Sequence, residues 1–275
     1  MLQPNIGFIG AGNMAGSLIG GLAKNGLSEC NIVACDPSEQ QLERLRESLG
    51  HPDYLSTSVH NQAISDSDVI ILAVKPQIIQ LVAKDIKSQI KPGALVISIA
   101  AGINISSLEN WLGNVAVVRC MPNTPALIQQ GATGLFANAK VSDDQKSLTE
   151  TILSAVGIAS WVDSEHLIDA VTAVSGSGPA YFFLFTELMA EVGEEMGLER
   201  SLAEQLSIQT CLGAGMLAKQ SNDNLSTLRN NVTSPGGTTE RAIQRFQQDD
   251  LKQLIKHAMQ DCAIRAEEMA KEFGT

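Results

Sequence analysis

Asn5-Ile6-Gly7-Phe8-Ile9-Gly10-Ala11-Gly12-Asn13-Met14-Ala15 is the stretch on which the fold turns. Asn5 to Ile9 is short and apolar and reads as a strand. Gly10 to Ala15 is a GxGxxA turn, and Met14 to Asn25 reads as the helix it opens. The first glycine permits the tight turn, the second lets a pyrophosphate approach the backbone, and small Ala15 lets helix and strand pack closely. A second strand, Asn31 to Cys35, ends in Asp36, 21 residues beyond Ala15. An acid at that spacing meets the ribose hydroxyls of an adenine nucleotide. Strand, glycine turn, helix, strand and acid, in that order, mark a nucleotide-binding βαβ unit.

Asp36 bears on which nucleotide. Its carboxylate repels a 2′-phosphate and so favours NADH, but Ser38, just past Pro37, opens a helix whose N–H groups suit a phosphate. Arg44 and Arg46 lie too far along that helix to help. The choice between NADPH and NADH stays open at this position.

Strands and helices go on alternating. Val69 to Val74 runs into Lys75-Pro76 and a helix over Gln77 to Ile90; Leu95 to Ile99 runs into Ala100-Ala101-Gly102; Val115 to Arg119 runs into Cys120-Met121-Pro122-Asn123-Thr124-Pro125. Ala132 to Asn138 and Ile158 to Val162, separated by a helix over Ser142 to Ala155, complete the sheet. The expected architecture is α/β, a doubly wound Rossmann sheet over residues 1–163. Ligands of such sheets bind outside the carboxyl ends of the strands, so Lys75 and Asn123 are the polar groups best placed to meet cofactor or substrate. The bland alternative makes both solvated turn residues.

From 164 to 275 only helical periodicity is visible: Ala180 to Met196, Ser201 to Ser221, Leu225 to Val232, Thr238 to Gln248 and Leu251 to Phe273. The first of these carries Tyr181, Phe182, Phe183, Leu184, Phe185, Leu188, Met189 and Val192 and is apolar nearly all round, which predicts burial on most sides. A helical segment built on such an element makes a poor domain by itself and is expected to pair with a second copy.

Composition narrows the partners. With 275 residues and a formal charge of −11, the chain lacks the basic face of a nucleic-acid binder. Hydrophobic residues at 44% and charged ones at 18% suit a folded α/β protein. Cys30, Cys35, Cys120, Cys211 and Cys262 include no CxxC pair, so neither a metal site nor a disulfide framework is expected. No basic leader precedes an apolar segment and no uninterrupted apolar run approaches membrane-spanning length. The expectation is a cytoplasmic protein with no membrane partner.

A second glycine loop, Thr233-Ser234-Pro235-Gly236-Gly237-Thr238-Thr239, opens the helix at Thr238. Helix N-termini offer unpaired N–H groups and partial positive charge, so this loop suits a carboxylate, although an ordinary capped helix start reads the same way. Reducing a ketone calls for a general acid near the oxygen. No lysine lies between Lys146 and Lys219, the helix from Ala180 has only Tyr181 and Glu187 to titrate near its start, and His166 is an isolated histidine. A C=N bond asks for less: already protonated, it accepts hydride directly and needs orientation, a partner for nitrogen and a clamp for any carboxylate. Thr238 and Thr239 with the amides after Pro235 supply those.

Gly7-Phe8-Ile9-Gly10-Ala11-Gly12-Asn13-Met14, Ala73-Val74-Lys75-Pro76, Ser98-Ile99-Ala100-Ala101-Gly102, Arg119-Cys120-Met121-Pro122-Asn123-Thr124-Pro125, Ser175-Gly176-Ser177-Gly178-Pro179-Ala180-Tyr181 and Ser234-Pro235-Gly236-Gly237-Thr238-Thr239 together closely resemble the pyrroline-5-carboxylate reductases, over nearly the whole chain. The resemblance implies a Rossmann domain followed by a helical dimerisation domain, an active site shared across the dimer, and further assembly, often to decamers. It implies reduction of L-1-pyrroline-5-carboxylate to L-proline with NADP(H), and with NAD(H) as a second donor. Residue by residue it implies that Ser234, Gly236, Gly237 and Thr238 hold the carboxylate and that the Thr239 hydroxyl faces the ring nitrogen. Gly7 to Met14, Asp36, Ser38, Ala73 to Pro76 (with Val74 and Lys75), Ala100, Ala101, Gly102 and Asn123 would line the cofactor, with Asn61 at its adenosine end. The chain departs from the family pattern at Leu228-Arg229-Asn230, where many relatives carry Leu-Lys-Asp.

Two other readings stand beside it. A β-hydroxyacid-type NAD(P)-dependent dehydrogenase shares the Rossmann half but carries a catalytic lysine in the first helix of its second domain, inside the lysine-free interval here. A non-catalytic nucleotide-binding dimer would use the same two halves without a substrate pocket.

Overall fold

The computed structural model describes residues 4–24 and 31–274. Cys30 and the expected end of the first helix at Asn25 lie outside the described residues. Eight strands form one sheet in the order β3-β2-β1-β4-β5-β6-β7-β8, from β1 (Ile6–Ile9), β2 (Ile32–Cys35), β3 (Leu55–Ser58), β4 (Val69–Leu72), β5 (Leu95–Ser98), β6 (Ala116–Met121), β7 (Gly131–Ala137) and β8 (Gly157–Trp161). The first six are mutually parallel. β7 pairs antiparallel with β6, in register Val118↔Ala137 to Met121↔Gly134, and β8 runs parallel to β7. The sheet is therefore mixed, a doubly wound Rossmann sheet as expected with one antiparallel pair at β6–β7. Only residues 122–130 separate β6 from β7, too few for the helical crossover that a parallel return requires.

Side-chain alternation divides each central strand between two cores. Ile6 and Phe8 of β1, Val69 and Ile71 of β4, and Leu95 and Ile97 of β5 face α1 (Asn13–Leu22), α2 (Glu39–Ser48) and α5 (Asp143–Ser154). Ile9, Ile70, Leu72 and Val96 face the other way, towards α3 (Pro76–Ile86) and α4 (Ile105–Leu112). A strand covered on both faces has no polar side, which is why these segments read as continuous apolar runs. β3 and α4 are additions to the expected elements: the half-polar Leu-Ser-Thr-Ser of β3 sits at the sheet edge and has little apolar signal.

The chain divides into two compact units. One comprises residues Met1–Ser177 with Cys262–Thr275, the other Gly178–Asp261. The first extends beyond the expected boundary at 163 because α6 (Leu167–Val171) and the π-turn Thr172–Gly176 pack on β6 and β7. In the second unit α7 (Gly178–Glu195) and α8 (Arg200–Gln220) lie side by side and are followed by α9 (Leu225–Asn231) and α10 (Thr238–Gln248). α11 (Leu251–Phe273) spans the division.

α7 corrects another expectation. Within the chain it buries only Gly178 and Ala190. Phe182, Phe183 and Phe185 are 64%, 69% and 46% exposed, and Leu206, Ile208 and Leu212 of α8 stand out in the same way. Each phenylalanine left in water forgoes roughly 1.5–3 kcal/mol of burial. The run Leu167–Glu195 is, by length and composition alone, apolar enough to cross a membrane, which the absence of an uninterrupted apolar run had not suggested.

Candidate active site

In the first unit the expected cofactor residues follow four neighbouring parallel strands, β2, β1, β4 and β5, and so share one edge of the sheet, with β1 and β4 adjacent where the strand order reverses. That reversal opens the crevice in which doubly wound sheets hold nucleotides. Gly7, Phe8 and Ile9 are buried within β1. Their part is to set the height of the loop, and they present no side chain to a ligand. Gly10 adopts φ +98°, and a Cβ built there would lie 2.5 Å from the Ala73 carbonyl oxygen, so only glycine lets the β1 and β4 ends approach. Gly12 caps α1 with no side-chain hydrogen bond, and a Cβ built on it would meet nothing within 4 Å. The first-turn amides from Asn13 and Met14 onward have no intrahelical acceptor and stand at the positive end of a ten-residue helix. A diphosphate fits there.

Asp36 braces the glycine loop. Its Oδ2 accepts the Ala11 N–H at 3.1 Å and its Oδ1 the Ser38 N–H at 3.0 Å. Gln41 reaches back from α2, donating from Nε2 to the Ala11 carbonyl at 2.8 Å. Together they clamp the glycine loop to the start of α2. Ser38 caps α2 by accepting the Gln41 N–H at 3.2 Å, and Glu39 occupies the first turn. A phosphate on this helix start would find the Ser38 amide already bound to one carboxylate and a second beside it. Of the two arginines, Arg46 donates to the Leu55 carbonyl, and Arg44 is exposed on α2.

Lys75 is the N-cap of α3, exposed, with Pro76 beginning the helix after Ala73 and Val74. Ala100 is buried, and Gly102, at φ +69°, is crowded by Met269 rather than by ligand space: a Cβ would sit 2.7 Å from that side chain. Asn61 donates to Asp85 at 2.9 Å. Asn123 is 8% exposed and works as an internal brace, donating to the Ser175 carbonyl at 3.0 Å and accepting the Ala132 N–H at 2.8 Å. That task ties the β6–β7 connection to the π-turn and differs from the cofactor contact expected of it.

Two recesses open on this unit, one of them beside the glycine loop itself. A groove of about 630 Å³ runs along α1 and α2 from the glycine loop, lined by Ala11, Gly12 and Asn13 with Ser17, Arg44 and Tyr54 beyond them, while neither Ala73–Pro76 nor Ala100–Gly102 borders it. The second, about 490 Å³, is bordered by Arg119, Glu165, His166, Asp169 and Lys271. Arg119, 4% exposed, donates to Glu165 at 3.1 Å and to Asp169 at 3.0 Å, while the same Glu165 oxygen accepts the Ile105 N–H at 2.7 Å. Sequence reading passed over this triad because its carboxylates lie 46 and 50 residues beyond the arginine. Cys35 and Cys120 are buried thiols, the first pushed up to about 11 and the second higher still, both by desolvation. Neither forms a thiolate at neutral pH, so thiol catalysis is not their role.

In the second unit Ser234 to Gly237 form a β-turn: the Gly237 N–H donates to the Ser234 carbonyl at 2.9 Å, with Pro235 and Gly236 central. Gly236 adopts φ +72°, the conformation a type II turn demands at its third residue, where glycine is favoured. Gly237 then caps α10 without a side-chain bond, so the Thr238 and Thr239 amides have no intrahelical acceptor. The Thr239 side chain is exposed, as are Ser234, Gly236 and Thr238. The Gly236 N–H is taken: it donates to the Glu240 carboxylate at 2.8 Å. Glu240 was not among the residues expected here.

Residues 165–269 match a family model described as pyrroline-5-carboxylate reductase dimerisation, and residues 5–102 one described as NADP oxidoreductase, coenzyme F420-dependent. A pyrroline-5-carboxylate reductase of Pseudomonas aeruginosa is 48% identical over 275 residues, covering 100% of both chains. A solved pyrroline-5-carboxylate reductase of Coxiella burnetii superposes with TM-score 0.92 at 42% identity, covering 98% of this chain and 99% of that one. The Plasmodium falciparum pyrroline carboxylate reductase, solved with NADP bound, gives TM-score 0.82 at 30% identity over 97% and 98% of the two chains.

Proposed function

Because the chain belongs to the pyrroline-5-carboxylate reductase family, we propose that it reduces L-1-pyrroline-5-carboxylate to L-proline with NADP(H), the closing step of proline biosynthesis. The observation that carries this reading is the pairing of two uncapped glycine-loop helix starts, Gly10–Met14 and Ser234–Thr239, each suited to an anion. The cofactor, when bound, supplies hydride from its dihydronicotinamide. The chain's own residues bind and orient. The amides at the start of α1 hold the diphosphate, Asp36 and Gln41 keep that loop in shape, and Ala73–Pro76 with Ala100 and Ala101 border the nicotinamide end.

The substrate carboxylate rests on the amides that open α10, and the Thr239 hydroxyl holds the ring nitrogen. The imine is protonated beforehand, so hydride adds to its carbon and the C=N π pair becomes the nitrogen lone pair. No side chain needs to deliver a proton during that step. The lysine-free interval from Lys146 to Lys219 agrees with this and gives the β-hydroxyacid reading no base.

The apolar face of α7 and α8 is covered by a second copy of the chain rather than by lipid, and dimers assemble further, up to a decamer, in the cytoplasm. The match of residues 165–269 to a dimerisation model supports the second copy. It also supports a functional division close to residue 163, although the compact units divide elsewhere. NAD(H) serves as a second donor, favoured by Asp36 and Glu39 at the adenosine end.

The test is loss of dihydronicotinamide absorbance with L-1-pyrroline-5-carboxylate and either NADPH or NADH. Turnover with the imine is expected. Folded, cofactor-binding protein that leaves the imine unreduced with both donors contradicts the proposal.

A further inference from the structure

The loop expected to hold the substrate carboxylate already holds one of the chain's own. Glu240 is the third residue of α10, and its Oε2 accepts the Gly236 N–H at 2.8 Å. An N–H serves one strong acceptor at a time, so an incoming carboxylate cannot use that amide until Glu240 leaves it. Departure does not remove the charge. Glu240 is fixed to the first turn of α10, one residue past Thr239, and it is half-buried, so its field is not fully screened.

We infer that Glu240 is an internal stand-in for the substrate carboxylate, a specificity-determining residue of the Ser234–Thr239 loop; this rests on the reading of the loop as the carboxylate clamp. While the loop is empty, the Glu240 bond holds Gly236 in its positive-φ turn, so the binding shape exists before substrate arrives. When the anion enters, it exchanges one carboxylate for another on Gly236 and works against the first. An imine lacking a carboxylate makes no such exchange. Glu240 therefore holds down affinity for anionic imines specifically. Its effect falls on KM rather than on the hydride step, since it is placed at the carboxylate end and not at the nitrogen.

Glu240→Gln separates charge from shape, because glutamine is the same size and its amide oxygen can still accept the Gly236 N–H. Steady-state reduction of L-1-pyrroline-5-carboxylate and of 1-pyrroline, which lacks the carboxylate, is measured for wild type and variant. The KM for the carboxylate substrate is expected to fall about fivefold, the size of one screened charge contact, and that for 1-pyrroline to hold. Glu240→Ala, which loses the hydrogen bond too, should melt at a lower temperature and still show the lowered KM. Equal shifts for both imines, no shift, or a raised KM for the carboxylate substrate in both variants would make Glu240 a loop brace and overturn the inference. If wild type reduces neither imine, the reading of the loop fails and the inference falls with it.

Discussion

The two units of this chain bury themselves very differently. In the first, Ile6, Phe8, Ile70, Ile71, Leu72 and Val96 are all at 0% exposure, enclosed by helices on both sheet faces. In the second, the largest apolar side chains are exposed, and the buried residues of α7 and α8 are small ones such as Ala190 and Ala203, with Gly193 set close against Ala203. One unit has a closed core; the other is half of one. The difference teaches that similar apolar content can serve two ends. Alternation over strands covered twice builds an interior, whereas an all-round apolar helix with nothing covering it is an interface.

The largest expected effect breaks that comparison outright. Replacing Phe182 and Phe183 together with aspartate should leave a monomer by sedimentation velocity and cut imine reduction by at least about a hundredfold, since aromatic anchors are worth some 2–4 kcal/mol each. NADPH binding to the first unit should persist. A dimer of unchanged affinity would show that these rings cover nothing.

Next comes the closed core itself. Arg119→Met strands Glu165 and Asp169 beside an apolar side chain and should cost about 3 kcal/mol in urea unfolding, because one partner of a buried ion cluster has been removed. A loss below about 1 kcal/mol would mean that the cluster is solvated.

Smaller effects sharpen the contrast between the two loops. Thr239→Val should lower turnover about tenfold, the worth of one hydrogen bond at the reacting nitrogen, with the melting temperature held. An unchanged rate constant would remove Thr239 from the mechanism. Asp36→Ser should move the NADPH-to-NADH preference about fivefold towards NADPH by removing a like charge from the 2′-phosphate, and identical ratios would place Asp36 away from the ribose.

The smallest effect concerns pH. Burial raises the Asp68 pKa, but the Lys91 ammonium and the Asn5 N–H outweigh it and leave the group below its ordinary value. The folded pKa is depressed, so the stabilisation is present above the unfolded value of about 4 and is lost as pH falls through the folded one. At 45% exposure of the side chain, screening leaves only a few tenths of a kcal/mol. Asp68→Asn should therefore cost that much in urea unfolding at neutral pH and less at pH 3; an equal cost at both would exclude the ionised form as its source.

How much of this could be read beforehand followed from range. Gly10, Gly12 and Asp36 announce themselves because their spacing is local, whereas the bonds of Asp36 to the Ala11 and Ser38 amides need the loop already folded. The Pro235-Gly236 turn was legible for the same reason. β7 was located but not its direction, since direction depends on the length and course of the loop before it. The task of Asn123 could not be read, because its partners Ala132 and Ser175 are brought to it only by the finished sheet. Gln41 has the S-x-x-Q spacing that reveals a helix cap from Ser38, yet its reach to Ala11 needs the βαβ unit already folded. Glu240 had a local signal that was overlooked: a carboxylate at the third helical position commonly turns back on the loop before it.

Hydride transfer from the dihydronicotinamide to the imine carbon is the step proposed for this chain. A single turnover with NADPH deuterated at the transferring C4 position, followed by mass and NMR analysis of the product, tests it most directly. Proline carrying one deuterium at C5, the former imine carbon, is the result expected. Proline without deuterium, or no proline from protein that has bound both ligands, would contradict it.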